Sequence, residues 1–138
     1  LTVDPEFKNK WRESRFPGGC SHAGELETSM LLHLSPESVR KDKIKSEIAK
    51  TNLMDSKYIW SDLFGRSAMG LIEWTSQYTD SGVMGEAEKA TAEKGKLVFE
   101  EASRNLAEFV AEYHARKIDT RTRHQAEEPT FPLSYPTD

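Results

Sequence analysis

An imidazole, two carboxylates and two hydroxyls crowd into one short stretch, His22-Ala23-Gly24-Glu25-Leu26-Glu27-Thr28-Ser29. Pro17-Gly18-Gly19 precedes it, and Leu26, Met30, Leu31 and Leu34 follow at helical spacing, which predicts a buried amphipathic helix from about Gly24. The group therefore sits where a glycine-rich loop meets a helix N-terminus. That end of a helix carries free N–H groups and a partial positive charge, so it can hold an oxyanion, and a histidine there can move a proton near neutral pH. Simpler readings stand beside this one. The dipole alone favours acids in a first turn, and Thr28 and Ser29 can serve local hydrogen bonds. His22 and Glu25 are three apart and would share a helix face as metal ligands, but two ligands do not make a site. Cys20 with His22 would make a nucleophile pair without a third orienting group, so a small, partly buried thiol is the simpler expectation. His33 on the helix reads as structural, and His114 and His124 as solvated.

The elements that must position this stretch are read from spacing. Residues 1–17 form an irregular lead-in, with Pro5, Pro17, Gly18 and Gly19 against a long helix and Phe7, Trp11 and Phe16 as its large anchors. Ser35-Pro36-Glu37 ends the first helix and opens a short second one with Ser35 as N-cap. In the charged stretch 37–57, Val39, Ile44, Ile48 and Leu53 mark either one face of an exposed helix or an irregular excursion. The Lys41–Lys50 charge run reads as a wet surface. Gly70-Leu71-Ile72-Glu73-Trp74 reads as a short strand, Thr79–Gly82 as a turn and Val83-Met84-Gly85 as a second short apolar step. Over 86–116, Val98, Ala102, Leu106, Phe109, Val110 and Tyr113 share one stripe, which predicts a long amphipathic helix packing its stripe into the core. Gly95 interrupts it at modest cost or marks a close backbone approach. The tail, 117–138, holds Pro129, Pro132 and Pro136 and reads as a strap or disordered extension, with Phe131, Leu133 and Tyr135 alternating.

Composition bounds the rest. In 138 residues, 36% are hydrophobic and 30% charged, an apolar share that suits a thin core or one completed by another chain. The 19 basic and 23 acidic residues are mixed, for a net charge of -4, so nothing resembles the basic footprint of a nucleic-acid binder. No apolar run is long enough to span a bilayer, and the first residues lack the pattern of a signal peptide. The single cysteine excludes a disulfide framework within the chain and fits a reducing, cytoplasmic compartment. Trp11, Trp60 and Trp74 are candidates for lining a pocket for a flat substrate, Trp11 and Trp74 foremost, since each lies on or beside a loop.

Residues 22–39, from His-Ala-Gly-Glu-Leu-Glu-Thr-Ser to Pro-Glu-Ser-Val, resemble the C-terminal motif of the creatininase (creatinine amidohydrolase) family. A second block agrees in order, Ser81-Gly82-Val83-Met84-Gly85 followed by Ala90-Thr91-Ala92-Glu93-Lys94-Gly95, so the resemblance covers about residues 18–115. It implies an α/β fold, a three-layer α/β/α sandwich around a mostly parallel sheet, of which residues 18–116 supply the C-terminal part. It implies hydrolysis of a C–N bond in a small cyclic amide or formamide-like substrate, with two divalent metals (zinc, manganese or iron). The family's ligand segments, Glu-x-His with a following Asp and a later Asn-Gly-His-x-Glu, do not occur in this sequence. The resemblance therefore implies metals bound mainly outside this chain, by an N-terminal creatininase half in the same polypeptide, a cleaved piece or a separate chain. It also implies a higher homo-oligomer. Carried over by residue, it makes His22 the acid–base or oxyanion-stabilising group, with Glu27 beside it as orienter or pocket wall; Glu25 and Ser29 join Trp11 and Trp74 as substrate-side candidates. The competing reading is a non-catalytic assembly subunit that keeps the fold.

Overall fold

Pro36 sets where the first helix stops. A computed structural model describes residues 3–49, 56–70 and 72–118; Leu53, Leu71, His124 and nearly all of the Pro-rich tail lie outside the described residues. Helix α1 (Glu25–Leu34) begins after an extended Gly24 and ends at Ser35, because the proline ring disfavours a helical residue before it. Pro36–Ser38 then makes a single 3-10 turn. Ser35 precedes that turn as expected but does not cap it; its hydroxyl bonds the Glu37 carboxylate. The long helix α3 (Ala92–Ala115) starts later than the element expected over 86–116. Thr91 is extended, and its hydroxyl accepts the Lys94 N–H at 3.2 Å, while Ala87–Lys89 forms a separate 3-10 turn.

The strands are short. β1 (Cys20–His22) pairs antiparallel with β4 (Met84–Gly85), Cys20 opposite Gly85 and His22 opposite Met84. Glu47 adds an antiparallel bridge to Gly85, so the described part of the charged stretch is irregular and its middle joins this pair. β2 (Ser61–Asp62) and β3 (Gly65–Arg66) close a tight hairpin. The helices and strands accord with an α/β fold, but every strand pair among the described residues is antiparallel. The strand expected at Gly70–Trp74 is not formed by its described residues. Ile72 is 98% and Trp74 80% exposed, and helix α2 (Thr75–Tyr78) follows directly. Such a segment needs a ladder partner to persist as a strand, and none pairs with it.

The two long helices pack side by side and run in the same direction, Ser29 meeting Gly95 and His33 meeting Phe99. A Cβ at Gly95 would lie 1.9 Å from the Ser29 carbonyl oxygen, so this glycine marks a close backbone approach. The face that α1 buries differs from expectation. Leu31 and Leu34 are half exposed, Leu26 and Met30 are only partly buried, and the fully buried residues are Glu25 and Ser29. The lead-in explains this. It is not a loose entry segment: Phe7, in the 3-10 turn Phe7–Lys10, and Trp11 join Cys20 and Val98 as the core, with Leu26, Met30 and Phe64 against them. The stripe of α3 is likewise core only at its start, since Leu106, Phe109, Val110 and Tyr113 are exposed.

Candidate functional site

The junction begins with a strained residue. Ala23 has φ +49°, the left-handed region, which costs a non-glycine residue of order 1 kcal/mol. Two side chains from the first turn of α1 hold it there. The Glu27 carboxylate accepts the Ala23 N–H, and the Thr28 hydroxyl donates to the Ala23 carbonyl at 3.1 Å. Together they fix the direction in which the chain passes from His22 into the helix. His22 itself is exposed at the end of β1, and no described residue hydrogen-bonds its imidazole. Beneath the turn the backbones are in contact. A Cβ at Gly24 would lie 2.6 Å from the Gly19 carbonyl, and one at Gly85 would lie 2.6 Å from the same oxygen and 2.8 Å from the Gly24 Cα.

Glu25 anchors the junction from inside. Its carboxylate accepts the Glu13 N–H at 3.0 and 3.1 Å and the Ser14 N–H at 2.8 Å, and the Lys94 ammonium lies 2.7 Å from Oε1. Burial pushes the Glu25 pKa up, but Lys94 and the lead-in donors outweigh it and hold the carboxyl below its ordinary range. The complement holds for Lys94. Burial pulls its pKa down, Glu25 and Glu13 more than compensate, and the ammonium titrates above its ordinary value. Three segments, the lead-in, α1 and α3, therefore meet on one carboxylate.

These contacts revise part of the sequence reading. Glu25 and Ser29 were expected at the substrate, yet both are fully buried and their oxygens are occupied by scaffold bonds; Ser29 Oγ accepts the Thr91 N–H at 3.1 Å. Trp11, expected on a pocket wall, is core, its ring 5.4 Å from that of Phe64. Trp74 stands on the surface just before α2, on a different loop from His22. Cys20 is buried with Sγ 3.2 Å from Ser14 Oγ, and burial pushes its thiol pKa up, which suits a packing thiol. His33 packs on Phe99, with ring centroids 6.0 Å apart, and His114 is exposed.

Two supporting pairings carry no local signal in the sequence. Arg12 makes a buried bidentate pair with Asp62 at 2.9 and 2.7 Å, and Asp62 also accepts the N–H groups of Gly18 and Phe64. This fixes the glycine-rich run directly upstream of Cys20. Glu47 accepts the N–H groups of Asp80 and Ser81 at 2.8 and 3.1 Å and the Ser81 hydroxyl, which hold its pKa down at about 2. It sets the turn that feeds β4. Both pairings span more than thirty positions of chain, so no short window could contain them.

The described residues do not fit a metal centre. No group of three or more His, Cys, Asp or Glu side chains is placed to hold an ion among them, and the buried carboxylates of Glu25 and Asp62 are already occupied by their donors. Nor is any described helix long and apolar enough to cross a membrane.

Comparison with known proteins supplies the frame for this geometry. The family model described as creatininase, creatinine amidohydrolase, matches residues 3–110, so the match takes in most of the lead-in as well as both motif blocks. The chain is 33% identical over 89 residues to the mycofactocin precursor peptide peptidase of Mycobacterium tuberculosis (strain ATCC 25618 / H37Rv), covering 64% of this chain and 31% of that protein. It is 28% identical over 100 residues to the same-named peptidase of Mycolicibacterium smegmatis, covering 72% and 36%, and 33% identical over 91 residues to that of Mycobacterium ulcerans, covering 66% and 32%. The chain thus spans about a third of the length of the curated relatives it matches. No solved structure matches it significantly.

Proposed function

Because the chain belongs to the creatininase (creatinine amidohydrolase) family, we propose that its His22 junction is the acid–base side of a hydrolase site that cleaves a C–N bond. The observation that carries this reading is the construction of the turn. Glu27 and Thr28 grip Ala23 from both sides, and Glu25 locks the helix start to the lead-in and α3. An exposed histidine is thereby held on a rigid mount, as proton transfer to a departing nitrogen requires. Glu27 works through this mount, as a residue that positions His22.

The relatives' name moves the expected substrate from a small cyclic amide or formamide to a peptide. The cleaved bond is then a peptide C–N bond, and Trp74, exposed on its own loop, is the aromatic available to a substrate chain. Any divalent metals would be held by residues outside the described ones, in keeping with a site that this chain only partly supplies.

The test is hydrolysis. The chain, purified with whatever polypeptides accompany it, is incubated with a peptide panel and with cyclic amides, and products are read by mass spectrometry. Peptide cleavage should fall about 10²–10⁴-fold in kcat for His22→Ala, with unfolding unchanged. A His22→Ala protein as active as wild type would end this assignment, as would an assembled protein that cleaves no C–N bond.

A further inference from the structure

We propose that the C-terminal half of α3 is the seat for the portion of a creatininase-family protein that has no counterpart in these 138 residues. The proposal rests on the family reading above and names the surface through which the site is completed.

The two main helices differ in length. α1 has 10 residues and α3 has 24, about 15 Å and 36 Å of helix. They run in the same direction, the start of α3 beside Ser29 and Phe99 beside His33 near the end of α1, so α3 continues about 20 Å past that end. The apolar stripe does not stop where α1 does. Gly95 and Val98 are buried, whereas Leu106 is 51%, Phe109 54%, Val110 56% and Tyr113 63% exposed. The Phe109 and Tyr113 rings already stack at 5.9 Å. Beside the stripe, Arg104 binds Glu101 and Glu108 of its own helix, so its charge is satisfied without an outside ion. The bare face asks for an apolar cover.

Three observations select the occupant. The curated relatives are about three times as long as the stretch they share with this chain. The family match runs to residue 110, so Leu106, Phe109 and Val110 lie inside it, as parts of the family domain. The described residues also lack the donors for a metal centre, which a complementary portion would bring. A second copy of the helix fits less well. Leu106–Tyr113 is about 12 Å of helix with four apolar side chains, far short of the roughly 800 Å² per partner of a stable interface. A portion that completes the domain would add contacts elsewhere, for instance on the half-exposed Leu31 and Leu34 of α1.

The experiment uses the full chain and, as probe, the part of the Mycolicibacterium smegmatis peptidase outside the shared 100 residues, expressed as a separate polypeptide. Wild type should form a one-to-one complex by light scattering. Phe109→Glu with Val110→Glu should weaken it at least about thirtyfold, whereas Glu108→Gln should leave it within about threefold. Circular dichroism of the double variant should still show the helix, since the substituted face is bare. Absence of a wild-type complex, equal binding by the double variant, or a self-dimer lost in that variant would each overturn the proposal. A complex that depends on α3 yet hydrolyses nothing with zinc, manganese or iron would leave the docking intact and defeat the hydrolase reading. Hydrolysis indifferent to the double variant would do the reverse.

Discussion

The two halves of α3 carry the same apolar stripe and meet opposite fates. In the first half, Thr91 caps the helix, Gly95 admits the α1 backbone, Val98 joins Phe7, Trp11 and Cys20, and Lys94 binds Glu25. In the second half, four apolar side chains of the same periodicity face solvent. Periodicity shows which side of a helix is apolar; whether that side is covered depends on what else is present and how far it reaches. Here α1 is too short to reach.

The comparison breaks most readily at Glu25. Glu25→Ala should cost about 2–4 kcal/mol, because it leaves the Glu13 and Ser14 N–H groups without their acceptor in the interior and reduces Lys94 to its Glu13 and Lys89 partners. Chemical denaturation measures this, and a loss below 1 kcal/mol would mean that the packed half does not depend on the carboxylate. Its pH dependence follows from the depressed folded pKa. The contribution is complete above the unfolded value of about 4.5 and is lost as pH falls through the lower folded value. Glu25→Gln should therefore flatten the acid limb of the stability profile, and an unchanged limb would contradict the assignment.

Gly95→Ala is the next test. Alanine gains about 1 kcal/mol in helix propensity, but its Cβ meets the Ser29 carbonyl at 1.9 Å. The expected net loss is about 1–3 kcal/mol, and a raised midpoint would show that α1 and α3 are not in backbone contact. The smallest effect sharpens the other side of the comparison. Phe109→Ser in the purified chain should change stability by less than about 0.5 kcal/mol, since the ring is half exposed and shields no core. A loss above 1.5 kcal/mol would mean that the second half is already covered.

Much of the candidate site was readable before any coordinates. The loop-to-helix junction falls where the spacing of Leu26 and Met30 puts it, the helix ends at Ser35-Pro36, and Thr28 ties down the turn. Gly95 is the close backbone approach that one of its two readings described. These signals are local, contained in windows of a few residues. The roles of Glu25, Ser29 and Trp11 were not readable in the same way. An acidic residue in a first turn looks the same whether it faces a substrate or, as here, the Lys94 ammonium from 69 positions along the chain. A tryptophan beside a loop looks the same on a pocket wall and in a core.

The sequence by itself determined the family, the two motif blocks and both main helices, because each depends on neighbouring residues and on steric rules acting over one or two turns. The tertiary structure alone decided that the lead-in is core, that one carboxylate joins three segments, that the expected strand at Gly70–Trp74 is absent from its described residues, and that half the stripe of α3 is uncovered. Those outcomes rest on contacts between distant positions and on the relative lengths of packed elements, which pattern along a chain does not encode.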